Sequence, residues 1–200
     1  PLEGMAFFDL NQNGGKVNFQ LHFSPICIDD KYGYDAYDLY DYPRVDGFTI
    51  LPTLLHPKSR GTVSLSSSDP KDAPIIQPNF LEEKEDLDQL VKGGKLVFKL
   101  MDDDALRKHT LRDRLPFDRN SEDSLIEHIK KTLETVYHPV GTCKMGVDSM
   151  AVVDPMLKVH GISNLRVVDA SIMPLIVSGN TNAPVYMIAE KAADMILNNF

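Results

Sequence analysis

The sequence contains few cysteines and no long apolar run. Its two cysteines, Cys27 and Cys143, are too few for a disulfide framework. No apolar stretch approaches the roughly 20 residues with which a helix spans a membrane, so we expect no membrane span. Lys and Arg number 21 against 29 Asp and Glu, which gives a net charge of −8. Because this charge repels phosphate backbones, nucleic acid is disfavoured as a partner.

Several motifs of common active sites are also missing. The sequence has no G-x-G-x-x-G or Walker loop, no G-x-S-x-G and no C-x-x-C. His138 and Cys143 are close in sequence, but the other histidines form no ligand pair and zinc needs three or four ligands, so we predict no metal site. With 42% hydrophobic and 25% charged residues, the chain has the composition of a folded domain with a core.

Apolar patterning predicts several strands. Alternation from Val17 to Phe23 predicts a strand with one buried face. Strands are also expected at 48–55 and 61–66, joined by a turn into an antiparallel pair, and a short one from Leu165 to Val168. The tyrosine-rich residues 29–47 follow no regular period, which indicates a surface loop.

Helical spacing predicts three helices. The first covers residues 87–101, and its Gly93–Gly94 pair should weaken it by about 1 kcal/mol per glycine relative to alanine. The second should begin after Ser121 as N-cap and end near His138, because a proline follows. The third should contain Pro184 in its first turn. Helices and antiparallel strands together indicate an α+β fold.

Polar residues stand at two of these predicted helix ends. His138 ends the second helix, and Asn180 and Asn182 precede the third. A helix N-terminus presents free N–H groups and partial positive charge, so a histidine and an asparagine near it can handle the proton of a substrate hydroxyl. Alternatively, His138 is a satisfied core histidine and Asn182 a helix cap. The pattern alone favours this structural interpretation, since short motifs match by chance often.

Three segments in this order resemble the C-terminal signature of the glucose-methanol-choline (GMC) flavoprotein oxidoreductases. They are "HPVGTCKMG", "AVVDPMLKVHGISNLRVVDASIMP" and "SGNTNAPVYMIAEKAADMI". Two earlier segments, "LLHPKSRGTVSLSSSDPKDAPIIQPNF" and "EDLDQLVKGGKLVF", resemble the substrate domain of that family. The resemblance runs from about Gly47 to Ile196. Within the family, "SGNTNAP" is most similar to insect glucose dehydrogenase-like members.

The resemblance implies an FAD-dependent enzyme that oxidises the CH–OH group of a small alcohol or sugar. Electrons would pass to a quinone-like acceptor or to oxygen. The family's catalytic histidine falls on His138, and its second catalytic residue, a His or an Asn, falls on Asn180. The positions that match the family's FAD-binding residues are Asp169, Ala170, Asn182, Ala183 and Pro184.

The resemblance also implies a division into domains. The family's glycine-rich ADP-binding motif belongs near the start of a much longer chain and is absent here. We therefore expect residues 1–135 to form part of an antiparallel substrate domain with flanking helices. Residues 136–200 should contribute a strand and the closing helix to an α/β FAD-binding domain that is otherwise missing. Two alternatives are a non-catalytic fragment or truncated paralogue that binds a ligand or partner, and a lyase of the same fold.

Overall fold

The computed structural model describes residues 2–12, 14–27, 45–114 and 117–198. Most of the tyrosine-rich segment lies outside these residues. The chain divides into two compact units, the first within Pro1–Ser59 and Leu81–Glu134 and the second within Arg60–Phe80 and Thr135–Phe200. The predicted α+β class is confirmed, because both helices and antiparallel sheet are present. None of the described helices is long and apolar enough to cross a membrane.

The described part of the first unit contains a three-stranded antiparallel sheet. Its strands, in spatial order, are β1 (Gly4–Phe8), β2 (Phe19–Ser24) and β3 (Thr49–Leu54). The predicted strand near Phe23 is confirmed as β2, but the prediction of a single buried face is wrong. Its polar residues Gln20 and His22 are buried too, because β2 is the central strand and the His22 ring hydrogen-bonds the Thr53 hydroxyl of β3 at 3.2 Å.

The predicted pairing of the strands at 48–55 and 61–66 is also wrong. The second of them, β4 (Thr62–Ser64), pairs instead with β5 (Ile75–Gln77), which was not predicted. The carboxylate of Asp86 explains the separation, since it accepts the backbone N–H groups of Lys58 at 2.7 Å and Ser59 at 2.8 Å. These bonds tie the segment between β3 and β4 to the next helix, so the segment does not form the predicted hairpin turn.

The described part of the first unit continues with three helices, α1 (Lys84–Asp102), α2 (Asp104–Arg107) and α3 (Glu122–Thr132). Ser121 caps α3 as predicted, because its hydroxyl accepts the N–H of Ser124 at 3.2 Å. The predicted end near His138 is wrong, because α3 ends at Thr132. Leu133 has already left helical geometry with ψ 129°, and it packs against the core around Phe19.

The second unit has its own core, built from short loops and one long helix. Its buried residues come from a loop region (Val153, Leu157), a short 3₁₀ helix at Ala170–Ile172 with Met173 after it, and α4 (Ile188, Ala192). The helix α4 (Asn182–Leu197) confirms the third predicted helix, with Pro184 in its first turn. This core supports both segments that carry the candidate site.

The strand predicted from Leu165 to Val168 is wrong. Among the described residues of that segment, Arg166 makes one isolated bridge to Lys158. The chain cannot extend the pairing, because the Asp169 carboxylate accepts the N–H of Ser171 at 2.8 Å and turns the backbone into the 3₁₀ helix. A side chain that bonds the backbone only two residues away competes directly with strand pairing, and here it prevails over the short apolar run that favours a strand.

Candidate active site

His138 and Asn180, predicted together from the sequence, lie in direct contact. The amide Nδ2 of Asn180 is 3.1 Å from Nε2 of the His138 ring, although the two residues are 42 positions apart. The other ring nitrogen, Nδ1, is 3.0 Å from the hydroxyl of Thr181. Asn180 is exposed, His138 is half-buried and Thr181 is buried. One ring nitrogen therefore contacts a buried residue, Thr181, and the other contacts an exposed residue, Asn180.

Backbone hydrogen bonds position the segment that carries His138. The N–H of Cys143 donates to the Ser171 carbonyl at 3.0 Å, and the N–H of Met145 donates to the Ile172 carbonyl at 2.8 Å. These bonds join the "HPVGTCKMG" segment to the 3₁₀ helix of the "VVDAS" segment. Gly141 turns the chain with φ +91°, a conformation that residues with a Cβ rarely adopt. Two of the three signature segments thus meet at the backbone level.

The start of α4 supplies the third segment. Thr181 occupies the N-cap position, so the alternative in which Asn182 caps this helix is wrong. Within the described part of the chain, the Thr181 side chain makes no capping bond to a helix N–H. Its hydroxyl is engaged with His138 instead. Asn182 and Ala183 are exposed in the first turn of α4, where N–H groups have no acceptor within the helix.

The remaining predicted residues have other contacts. Asp169 accepts hydrogen bonds from both the N–H and the hydroxyl of Ser171 and caps the 3₁₀ helix. Ala170 packs against the second core. Cys143 contributes its backbone N–H, and its thiol is free and half-buried. Among the described residues, no three His, Cys, Asp or Glu side chains are grouped as metal ligands.

Comparison with known proteins places this arrangement in a family. The family described as GMC oxidoreductase matches residues 57–189, which is most of the chain and includes His138 and Asn180. The chain belongs to the GMC oxidoreductase family. The resemblance noted from the sequence is therefore confirmed at the level of the family.

Individual relatives agree with this assignment. The chain is 42% identical to an alcohol dehydrogenase [acceptor] of Pseudomonas putida over 98% of its own length and 34% of the relative. It is 40% identical to an oxygen-dependent choline dehydrogenase of Pseudomonas savastanoi pv. phaseolicola over 90% of its length and 30% of the relative. A formate oxidase from Aspergillus oryzae, studied for FAD modification, superposes with a TM-score of 0.81 at 29% identity, covering 93% of this chain and 32% of that one. The chain thus spans about a third of the curated relatives' length.

Thr181 is the site residue that sequence reasoning missed. It stands between the two asparagines of "SGNTNAP", directly before a predicted helix, where threonine is a common N-cap. That signal predicts a bond to the helix backbone. The observed bond goes to a ring 43 positions away, which no local pattern reveals.

Proposed function

We propose that the full-length protein carrying this chain is an FAD-dependent oxidoreductase of the GMC family that oxidises the CH–OH group of an alcohol or sugar. The contact of 3.1 Å between His138 and Asn180 is the observation that carries the proposal. It unites a proton acceptor and a neutral hydrogen-bond donor on one accessible side of the ring. The names of the relatives, an alcohol dehydrogenase and a choline dehydrogenase, support this class of substrate.

His138 acts as the base in this proposal. An alcohol that loses a hydride from carbon must also lose its hydroxyl proton, and an imidazole nitrogen with a free lone pair can accept that proton. The substrate oxygen would replace the hydrogen bond between His138 Nε2 and Asn180 Nδ2 and come within hydrogen-bonding distance of both nitrogens. Asn180 cannot accept the proton, but its N–H can donate to the same oxygen and orient it. FAD, when bound, supplies the hydride acceptor.

The start of α4 fits a flavin that becomes negatively charged. A helix N-terminus carries roughly half a positive charge, and Asn182 and Ala183 are exposed residues in the first turn, where N–H groups have no acceptor within the helix. We propose that these residues with Pro184 approach the flavin, and that the backbone at Asp169 and Ala170 also contacts FAD. A dipole fixed by the fold stabilises charge without reorganisation during the reaction.

We further propose that residues 1–135 belong to the substrate domain and residues 136–200 to the FAD-binding domain. The change of compact unit between Glu134 and Thr135 supports this boundary, while the hairpin within Arg60–Phe80 groups with the second unit. A quinone-like compound or oxygen would take the electrons, and the relatives include both a dehydrogenase that names an acceptor and an oxidase. A sugar substrate would accord with the glucose dehydrogenase-like character of "SGNTNAP".

The test is His138→Ala in the full-length protein. We expect turnover to fall by about 10²- to 10⁴-fold, the usual contribution of a positioned base, while the visible flavin spectrum is retained. The control is His109→Ala, which removes an exposed histidine of the first unit and should leave turnover unchanged. Near-normal turnover of His138→Ala would contradict the assignment.

The same preparation separates the alternatives. Anaerobic mixing with a panel of alcohols and sugars should bleach the flavin absorption if the protein oxidises them. A lyase of the same fold would keep its flavin oxidised during turnover. A non-catalytic binding protein would show neither bleaching nor product, and a spectrum without flavin bands would contradict the proposed cofactor.

A further inference from the structure

The hydrogen bonds around His138 define which ring nitrogen carries the proton. With the Asn180 amide oriented so that its nitrogen faces the ring at 3.1 Å, the amide donates and Nε2 is the acceptor. A neutral imidazole has one N–H, which then lies on Nδ1. Nδ1 is 3.0 Å from the Thr181 hydroxyl, whose oxygen can accept that N–H. In this tautomer the Nε2 lone pair accepts from Asn180 in the structure, and it can take the substrate proton once the substrate oxygen replaces that contact.

The fold fixes the position of the Thr181 hydroxyl. Thr181 is 7% exposed, and its carbonyl accepts the N–H of Val185 at 3.0 Å in the first turn of α4. A threonine at an N-cap usually bonds a helix N–H. Here the hydroxyl bonds the ring of His138 instead. Removing that hydroxyl would therefore leave the backbone of α4 intact while the ring loses its inner partner.

We propose that Thr181 is a positioning residue, whose hydroxyl oxygen accepts the Nδ1–H of His138 and thereby holds the ring in the tautomer that leaves Nε2 unprotonated. The inference rests on the proposed function of His138 as a base. After Nε2 takes a proton from the substrate hydroxyl, the ring is positively charged and both nitrogens carry N–H groups. The Thr181 oxygen then remains an acceptor for Nδ1–H, so the bond persists through the proton transfer.

Two substitutions in the full-length holoenzyme test the role. Thr181→Val keeps the shape and removes the acceptor, whereas Thr181→Ser keeps a hydroxyl. We expect Thr181→Val to lower kcat about 10- to 100-fold, the range found for partners that orient metal-bound histidines, with little change in KM and full flavin binding. Thr181→Ser should recover most of the loss. Equal activity of Thr181→Val and wild type, or failure of serine to rescue, would overturn the proposal.

The second measurement does not depend on activity. ¹⁵N NMR of the histidine-labelled holoenzyme reports the tautomer, and the signals of His138 are those that disappear in His138→Ala. We expect an unprotonated Nε2 in wild type and Thr181→Ser, and a shift toward the other tautomer in Thr181→Val. A protonated Nε2 in the neutral wild-type ring would overturn the proposal even if Thr181→Val failed to fold.

The two proposals fail in different ways. If His138→Ala had normal turnover and wild type showed the expected tautomer, His138 would not be the base. The hydrogen bond between Thr181 and His138 would then have only a structural role. If His138→Ala lost turnover but Thr181→Val kept the wild-type tautomer and kcat, His138 would remain the proposed base. The positioning role of Thr181 would then be refuted.

Discussion

Replacement of Gly93 by alanine tests how closely α1 approaches the central strand of the first unit. An alanine Cβ at this position would lie 2.1 Å from Cζ and 2.6 Å from Cε1 of Phe19. Phe19 is fully buried, so its ring cannot move into solvent. Alanine gains about 1 kcal/mol in helix propensity over glycine. Overpacking a buried site costs about 1–3 kcal/mol, and a contact this short falls at the upper end. We therefore expect Gly93→Ala to destabilise the protein by about 2 kcal/mol.

Gly94 provides a matched control on the same helix. Its added Cβ would lie 3.2 and 3.3 Å from the two terminal methyl groups of Leu125, which can yield by a few tenths of an ångström. The propensity gain of about 1 kcal/mol then balances or exceeds the packing cost, so Gly94→Ala should be neutral or stabilising. Urea denaturation of both full-length variants at saturating FAD, followed by circular dichroism, measures the difference. If Gly93→Ala matched wild type, or if Gly94→Ala lost as much as Gly93→Ala, the packing argument would be refuted.

Two further predictions concern a strained turn and a titrating ring. Gly141→Ala places a Cβ at φ +91° within the segment that carries His138, and we expect a loss of about 1–2 kcal/mol together with reduced kcat. Gly14→Ala, at φ +70° in open space, should cost similar stability with normal kcat, and equal effects of both variants on kcat would refute the argument. Burial, aided by the charge of Lys131, lowers the pKa of His128 below its ordinary value of 6.5. As pH falls, His128 therefore binds its proton more readily in the unfolded chain, so the free energy of unfolding should decline below about pH 6.5. In His128→Gln, the urea midpoint should depend less on pH between about pH 8 and 5.5. A pH dependence equal to that of wild type would contradict this prediction.

The helices could be predicted because their signals are local. Periodic apolar residues and caps such as Ser121 lie within the segments that they organise, and α1, α3 and α4 all form. Strand pairing could not be predicted in the same way. β3 pairs with β2 and not with the strand that follows it, because Asp86 takes the N–H groups of Lys58 and Ser59. A carboxylate almost 30 positions away leaves no pattern in the strand itself.

The end of α3 shows a related limit. A proline after His138 sets the last position at which a helix can continue, but it does not require the helix to reach that position. Leu133 leaves the helix earlier, with its side chain packed in the first core, and Thr135 begins the second compact unit. Tertiary packing therefore decided the boundary. Because His138 lies beyond this boundary, its position depends on Gly141 and on bonds to the 3₁₀ helix, not on α3.

The Thr181 side chain links the two features that the proposed chemistry needs at the start of α4, the orientation of the His138 ring and an uncapped helix N-terminus. A threonine side chain occupies one rotamer at a time, and in the observed one the Thr181 hydroxyl contacts Nδ1 of His138 and caps no N–H of the helix. The Thr181 side chain therefore does not occupy the N–H groups in the first turn of α4. If the Thr181 hydroxyl rotated to cap α4, it would offset part of the positive charge at the helix N-terminus, and the His138 ring would lose its hydrogen bond to Thr181. In the proposed chemistry, the same rotamer of Thr181 thus holds Nδ1–H of His138 and leaves the start of α4 uncapped for a negatively charged flavin.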